Sequence, residues 1–185
     1  MEGEMITPMS REEYEKWLRK YGDVEPKHQR EIEKRLTESF QSKGFASKIE
    51  VIELLTWKFD TTKYRLPRLL GYIERVPEEE IVEKTRKAFQ SKNEEEKIDI
   101  LKSIKGIKNA VSSVVLTFHN PNEYCVFDFH AWRELFGQKP DYYESARALT
   151  EFFEKVRHIS SETGLSCREI EKALFIKDCL EDKRP

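Results

Sequence analysis

Residues 94–137 decide the fold, and they read EEEKIDILKSIKGIKNAVSSVVLTFHNPNEYCVFDFHAWRELFG. Apolar residues at helical spacing predict one helix over 94–104 and a second helix over 109–118. Only the four residues 105–108 (KGIK) separate them. Because so short a glycine turn leaves no room for another element, the two helices are expected to form a hairpin.

The start of the second helix has the properties of a phosphate site. Backbone N–H groups in the first turn of a helix have no intrahelical partner, so they can hold an anion. The neighbouring lysines add the positive charge that contact with a nucleic-acid backbone requires. The residues expected at such a contact are Lys102, Lys105, Gly106, Ile107, Lys108 and Asn109.

Asp128 follows the second helix, among the apolar residues Val126, Phe127 and Phe129. A carboxylate at the start of a helix can be an N-cap, which accepts a hydrogen bond from a free backbone amide. In an apolar surround it can also be a catalytic group. The local pattern leaves both interpretations open.

The rest of the chain is also rich in helix signals. Ser10 with Glu13, Ser47 with Glu50 and Ser166 with Glu169 each fit a capping box. An all-α bundle of about ten short helices is expected, with helices near residues 11–21, 27–43, 48–58, 67–75, 78–90, 94–104, 109–118, 129–136, 142–163 and 167–180. The β-like run 124–127 is too short for a sheet and is interpreted as a buried extended connector. We expect one domain over residues 10–180, with tails at 1–9 and 181–185.

Composition narrows the class of protein. The net charge is −2, with 33 basic and 35 acidic side chains, so the chain as a whole is not a polycation, although one face of it can still be basic. It has no apolar stretch of the roughly 20 residues that span a bilayer and no signal peptide, which predicts a cytoplasmic protein without membrane contact. Its three cysteines form no CxxC pair, so buried free thiols are expected rather than a metal centre. We expect a monomer.

The segment from the hairpin to Asp128 resembles the helix-hairpin-helix DNA glycosylase superfamily, which includes endonuclease III and 3-methyladenine DNA glycosylase II. Members show a hairpin of the form L-P-G-V-G, a helix rich in small residues and then an aspartate that starts the next helix. Placing Gly106 on the first hairpin glycine carries the catalytic aspartate onto Asp128 without a gap. The element P-x-x-Y-x-V-x-D at 121–128, a Trp-Lys pair at 57–58 and the run 168–174 also resemble a smaller branch of glycosylase-like proteins.

The resemblance implies that Asp128 stabilises positive charge on the deoxyribose as a damaged or mismatched base leaves, or that it activates a water. It also implies duplex DNA with a lesion as partner and an alkali cation at the hairpin, with no other cofactor. Arg133 or His130 is expected to help keep Asp128 ionised.

Two positions depart from the family pattern. Lys108 replaces the second glycine, which would cost about 1 kcal/mol if that position needs a positive φ, or would supply a phosphate contact of its own. Ala110 replaces the lysine that forms a Schiff base in bifunctional members, so the resemblance implies a glycosylase without strand-cleaving activity.

A flipped-out base needs an aromatic platform and a few polar groups. The candidates are Trp57, Lys58, Tyr64, Phe129, His130, Trp132 and Arg133. For the two tryptophans, packing in the core is an equally good interpretation. Lys58 can reach a phosphate or extend from its helix to solvent; as a displaced Schiff-base lysine it has no support from spacing.

Two further sets of side chains could bind a ligand. The cluster Lys63, Arg65 and Arg68 can contact phosphate or form a solvated loop. His119 and His130 could hold a metal with Asp128, but no further ligand stands at helical spacing, so no metal site is predicted.

Three functions therefore compete. The first is a monofunctional DNA glycosylase with Asp128 as its catalytic carboxylate. The second is a non-catalytic nucleic-acid-binding module, and the third is a protein-interaction domain on the same fold.

Overall fold

A computed structural model describes residues 9–60 and 64–181. Within these ranges the chain forms ten helices and no strand, which confirms the all-α prediction. The helices are α1 (Arg11–Val24), α2 (Lys27–Lys43), α3 (Lys48–Lys58), α4 (Leu66–Ile73), α5 (Glu78–Gln90), α6 (Glu94–Lys102), α7 (Asn109–His119), α8 (Phe129–Phe136), α9 (Ala146–Thr163) and α10 (Cys167–Glu181).

Capping side chains set where several helices begin. The capping boxes at the starts of α1, α3 and α10 form as predicted; at α10, for example, Ser166 N–H donates to Glu169 at 2.8 Å and Glu169 N–H donates back to Ser166 Oγ at 3.2 Å. Each box satisfies backbone amides that the helix leaves free. The helix starts are therefore local properties of the sequence.

Two helix boundaries differ from the prediction by more than two residues. Gly22 does not end α1, which continues to Val24. The helix expected from residue 142 begins only at Ala146, because Ser145 is its N-cap and accepts a hydrogen bond from Ala148 N–H at 3.3 Å. Residues 140–145 instead form successive turns.

The turn between α6 and α7 is tight, as expected. It is anchored to the core by Ile104 and Ile107, which are both buried. Gly106 has a φ of +98°, a conformation that favours glycine. The backbone of Lys108 is extended, with a φ of −127°. The expected strain at Lys108 is therefore absent, since the position does not need a positive φ.

Residues 124–127 form the buried extended connector that the sequence predicts, with at most 6% of any side chain exposed. Phe127 N–H donates to Ser113 Oγ on α7 at 2.8 Å. This contact fixes the connector, and the start of α8 that follows it, against α7.

All ten described helices contribute buried side chains to one apolar cluster. The first and last of them, α1 and α10, pack against each other, and α8 and α9 also contact α10. Glu181 belongs to α10, so the helix reaches one residue into the expected C-terminal tail. The other tail residues, 1–8 and 182–185, lie outside the described ranges.

Two further expectations can be compared with the described residues. No helix among them is both long enough and apolar enough to cross a bilayer. All three cysteines are free thiols; Cys125 and Cys167 are buried as expected, but Cys179 is exposed.

The α6–α7 turn depends on Gly106. A Cβ there would lie 2.9 Å from Cβ of Tyr72, in a backbone conformation that side chains rarely adopt. We expect Gly106→Ala to lower the free energy of unfolding by roughly 1–3 kcal/mol, measured by urea denaturation. The matched control is Gly71→Ala within α4, where a Cβ meets nothing within 4 Å and should stabilise the helix by about 0.5–1 kcal/mol. Equal effects of the two changes would contradict this account of the turn.

Candidate active site

Asp128 lies at the N-terminus of α8, and the cap interpretation is correct as far as it goes: its Oδ1 accepts a hydrogen bond from His130 N–H at 3.0 Å. The other oxygen, Oδ2, faces Lys58. The side chain keeps 24% of its surface exposed. Asp128 is therefore a helix cap that also presents a carboxylate oxygen to a partner and to solvent.

Lys58 is the last residue of α3, and its ammonium reaches Asp128. Its Nζ lies 3.3 Å from Oδ2, and only 13% of the side chain is exposed. A lysine that extended from the helix to solvent would be largely exposed. The structure therefore joins Lys58 and Asp128, which are 70 residues apart in sequence, as one ion pair.

The pair lines a cleft of about 250 Å³, which we call the Asp128 cleft. Small-molecule pockets begin at roughly 300 Å³, so the cleft has nearly the size of a ligand site. Its walls come from four helices and the segments beside them. Its aromatic residues are Tyr21, Trp57 and Phe175, and its charged residues are Glu25, Lys58, Asp60, Asp128, Arg168 and Glu171.

The environment of Asp128 favours its charged form. Burial by itself raises the pKa of this carboxyl, but the ammonium of Lys58 and the backbone N–H of His130 act in the opposite direction and prevail. The pKa of Asp128 therefore lies below its ordinary value. At neutral pH the cleft contains an ionised carboxylate, as the chemistry expected of Asp128 requires.

A network of ion pairs supports the wall of the cleft around Arg168. The buried guanidinium donates to both oxygens of Glu33 at 2.9 Å and also contacts Glu171. Lys172 adds a second cation, with its Nζ 3.1 Å from Glu33 and 3.3 Å from Glu25. Each buried charge of the network has an opposite partner. The network can therefore support the cleft wall without the cost of an unpaired buried charge.

Two carboxylates of this network have opposite pKa shifts. Burial raises the pKa of Glu33, but Arg168 and Lys172 outweigh it and lower the pKa to about 2. For Glu171 burial prevails over the neighbouring cations Arg168 and Lys58, and the pKa is raised, with the charge of Asp128 adding to the rise. The cleft thus combines an ionised carboxylate with one that binds a proton more readily.

The two tryptophans have different positions. Trp57 lines the cleft, but only 9% of it is exposed, and Arg168 lies 5.4 Å from its ring centre. It is a wall residue rather than an open platform. Trp132 is 1% exposed and donates its indole N–H to Gln138 O at 3.2 Å. Of the two interpretations that the sequence leaves open for Trp132, packing in the core is the one that fits, because the ring is buried.

His130 and Arg133 converge on another carboxylate. Arg133 donates to both oxygens of Asp178 at 2.6 Å, and His130 Nδ1 lies 2.7 Å from Asp178 Oδ2. The expectation that Arg133 or His130 helps to keep Asp128 ionised is supported for His130, whose backbone N–H and charge both lower the pKa of Asp128. The side chain that contacts Asp128 is Lys58. The main contribution of His130 to Asp128 is its backbone N–H.

The remaining base-pocket candidates lie away from the lining of the cleft. Phe129 is 38% exposed, and its ring lies edge-on to Tyr143 at 6.3 Å. Tyr64 is 77% exposed and accepts a hydrogen bond from Arg65. Both are exposed aromatic residues, but neither contributes to the Asp128 cleft.

The residues expected to contact phosphate divide into two groups. Lys105 and Lys108 are exposed at the α6–α7 turn, Lys102 is half-buried, and all three side chains carry positive charge. Ile107 and Asn109 are buried, and Asn109 donates its side-chain amide to Ser145 O at 2.6 Å. The Asn109 side chain therefore holds the turn before α9 and cannot reach a phosphate.

Further cations surround the α6–α7 turn. Tyr72 of α4 packs against Gly106, its hydroxyl accepts a hydrogen bond from Arg68 at 3.1 Å, and Lys105 lies 5.5 Å from its ring centre. The hydrogen bond from Arg68 and the charges of Arg68, Lys105 and Arg75 lower the pKa of Tyr72. We call the surface formed by Tyr72 and the cations Arg68, Arg75, Lys105 and Lys108 the basic turn surface. Arg68 of the cluster 63–68 belongs to it; Lys63 lies outside the described residues.

The metal interpretation finds no support among the described residues, where no group of three or more His, Cys, Asp or Glu side chains is close enough to hold an ion. His119 stacks on Phe89 at 3.9 Å, and its pKa is lowered mainly by burial. An alkali cation at the α6–α7 turn would be held by backbone carbonyls, and it stays a prediction.

Several cleft residues were missed by sequence reasoning. Arg168 and Glu171 stand three positions apart, which places them on one face of α10. The resemblance of the run 168–174 marked this segment but did not assign either residue to the site. Tyr21 and Phe175 meet edge to face at 6.3 Å. No local pattern indicates that meeting, because it results from the packing of α1 on α10.

Comparison with known proteins gives no further guide to family: no family model, no curated protein and no solved structure matches this chain. The functional argument therefore rests on the motif and on the site geometry.

The depressed pKa of Glu33 predicts a specific loss of stability in acid. Its folded-state pKa of about 2 lies below the unfolded value of about 4.3, so its contribution is present above about pH 4.3 and is lost as the pH falls toward 2. We expect Glu33→Gln to lower the free energy of unfolding at pH 7 by roughly 3 kcal/mol. It should also reduce the pH dependence of stability between about pH 5 and pH 2.

Urea denaturation across this pH range measures both effects. The matched control is Glu31→Gln on the same helix, whose side chain is 66% exposed and whose surface ion pair contributes at most about 1 kcal/mol. A Glu33→Gln chain as stable as the wild type at pH 7 would contradict the ion-pair network.

Proposed function

We propose that this protein is a DNA glycosylase that hydrolyses the N-glycosidic bond of a damaged or mismatched base. The observation that carries the proposal is the position of Asp128, an ionised carboxylate at the N-terminus of α8 that lines a cleft of about 250 Å³ and contacts Lys58. It occupies the position that the family pattern assigns to the catalytic carboxylate.

Asp128 has the properties that base excision needs. As the base leaves, positive charge develops on the deoxyribose, and a fixed carboxylate in a partly dehydrated cleft stabilises that charge. The same carboxylate can accept a proton from a water that attacks C1′. Because it also caps α8, its position is fixed before the substrate arrives.

The cleft is suited to a base that has left the duplex. Tyr21, Trp57 and Phe175 supply apolar walls, which a flipped base requires. The carboxylate of Asp60, 37% exposed, can accept hydrogen bonds from the N–H groups on the edge of a base. These contacts favour a base with donors on its exposed edge.

DNA binding is attributed to the basic turn surface. Its cations Arg68, Arg75, Lys105 and Lys108 are all exposed, and the first amides of α7 add partial positive charge. A local surface of this kind is compatible with a net charge of −2, because nucleic-acid contact depends on the face rather than on the whole protein.

A second candidate is a non-catalytic nucleic-acid-binding module on the same fold. The observation that favours it is the cap: the hydrogen bond to His130 N–H gives Asp128 a structural role without any reaction. The two candidates predict the same DNA surface and differ in whether a base is released.

Asp128→Asn separates these roles, because asparagine caps helices as well as aspartate does but carries no charge. We expect base release to fall by at least about 100-fold, with DNA affinity retained. The assay uses duplexes that each contain one damaged, deaminated or mismatched base, followed by alkali cleavage at any abasic site.

The control is Asp99→Asn, which removes an exposed carboxylate of α6 outside the cleft and should leave activity unchanged. If the wild type releases no base from any duplex but binds DNA, the binding module replaces the glycosylase as the proposed function.

The basic turn surface predicts a salt-dependent affinity. We expect Lys105→Ala with Lys108→Ala to weaken duplex binding and to reduce the slope of log affinity against log salt by about 0.9 for each phosphate that the protein no longer neutralises. Fluorescence anisotropy over a salt series measures this slope. Lys34→Ala, a change at a largely exposed lysine of α2, should leave the slope unchanged. An unaltered slope in the double variant would exclude this surface from the interface.

A further inference from the structure

Lys58 is a primary amine held inside the Asp128 cleft. Its Nζ contacts Asp128 at 3.3 Å, and both groups line the same cavity. Within the described part of the chain, Asp128 is the one acceptor to which Lys58 donates a hydrogen bond. An ammonium has three N–H groups, so the contact leaves the amine with capacity for a further partner.

The lysine expected for covalent catalysis is absent from its usual position, where this chain has Ala110. The geometry nevertheless brings an amine to the aspartate from another helix, α3. We propose that Lys58 is a nucleophile that forms a Schiff base with the C1′ aldehyde of an abasic deoxyribose, which gives the protein strand-cleaving activity. This inference rests on the proposed function and replaces the monofunctional enzyme that Ala110 implies.

The chemistry balances with the groups present. Asp128 accepts a proton from the Lys58 ammonium, and the free amine adds to the C1′ aldehyde; Asp128 returns this proton to the departing hydroxyl, and loss of water gives the iminium. The Asp128 carboxylate then removes a proton from C2′, which allows the C3′–O bond to break, and the 3′ phosphate leaves with the electron pair. Water hydrolyses the remaining imine, which releases the sugar fragment and restores Lys58. No oxidant or reductant is consumed.

The contact between Lys58 and Asp128 leaves the amine room to move within the cleft. Its length of 3.3 Å is slightly beyond the usual range of 2.7–3.2 Å for an N–H···O bond, so the amine is not locked in place. Arg168, by contrast, is bound through two hydrogen bonds of 2.9 Å to Glu33. The buried network can therefore provide rigidity, while Lys58 keeps access to the cleft.

Glu171 lies with the Lys58–Asp128 pair in the lining of the cleft. It is 3% exposed, and the charges of both groups act on the pKa of its carboxyl. Glu171 is assigned a positioning role, since it contacts Arg168.

Borohydride trapping tests the proposal directly. The full chain is mixed with a duplex that contains one abasic site, in the presence of sodium borohydride, which reduces an iminium to a stable covalent adduct. We expect an adduct with the wild type, and peptide mass spectrometry should place it on Lys58. Without borohydride, the strand should be cut at the abasic site.

Lys58→Arg preserves the positive charge beside Asp128 but cannot form an imine, so trapping and cleavage should fall to the level seen without protein. The matched control is Lys177→Arg, because Lys177 is also a half-buried, carboxylate-paired lysine, 23% exposed, and it lies outside the lining of the cleft. It should be trapped as efficiently as the wild type. Circular dichroism and duplex binding verify that both variants are folded.

Chemical rescue provides a second test, which does not require the fold to accept arginine at position 58. Lys58→Cys is made together with Cys179→Ser, because Cys179 is exposed, and the new thiol is aminoethylated to restore an amine of nearly the same length. Trapping should be absent before this treatment and return after it. Failure of rescue in a folded protein would contradict the role of the amine.

The outcomes distinguish this inference from the proposed function. An adduct on any amine other than Lys58, or none while the wild type releases bases, overturns the nucleophile and leaves the glycosylase standing. An adduct on Lys58 without base release from any lesion supports the nucleophile and rejects the glycosylase. The absence of both reactions rejects both proposals.

Discussion

The hydrogen bond from Phe127 N–H to Ser113 Oγ, 2.8 Å long, joins the two parts of the molecule on which the proposed function depends. Ser113 lies on α7, whose first residues follow the basic turn surface, and Phe127 immediately precedes Asp128. Because Ser113 also donates to Ala110 O at 2.8 Å, its hydroxyl is fixed from both sides. The carboxylate therefore has a defined position relative to the surface that is proposed to bind the DNA backbone.

The small residues of α7 follow from this constraint. The connector 124–127 packs directly on the helix, and every one of its side chains is buried. Ser112 and Ser113 are both fully buried, and a larger side chain at either position would have to displace tightly packed neighbours. The sequence pattern that resembles the glycosylase superfamily thus has a physical cause in this chain, whatever its reaction.

Local signals explain how much of this structure could be predicted. Capping boxes and apolar periodicity place the helices, and the spacing from Gly106 to Asp128 indicates the carboxylate that lines the cleft. The roles of Trp57 and Trp132 could not be separated, because both have apolar neighbours along their helices. Only the packing of distant helices decides which ring reaches the cleft.

The ion pairs of the site also depend on the packing of distant helices, which local sequence does not reveal. The partner of Asp128 is Lys58, which is distant in sequence, whereas the nearby Arg133 binds Asp178. Sequence proximity indicated His130, which does lower the pKa of Asp128, but it could not indicate Lys58, because the contact between α3 and the start of α8 is set by tertiary packing. The backbone of Lys108 could not be inferred either, because an extended residue and a left-handed one can close equally short turns.

The packing of α1 on α10 has a consequence for the order of assembly. Tyr21 on α1 and Phe175 on α10 meet across the cleft, and Arg168 on α10 reaches Glu33 on α2. A chain emerging from the ribosome can form the α6–α7 turn early, from neighbouring segments, but its cleft lacks a wall until α10 has been synthesised. During biosynthesis, the α6–α7 turn proposed to bind DNA can therefore form before the Asp128 cleft is complete.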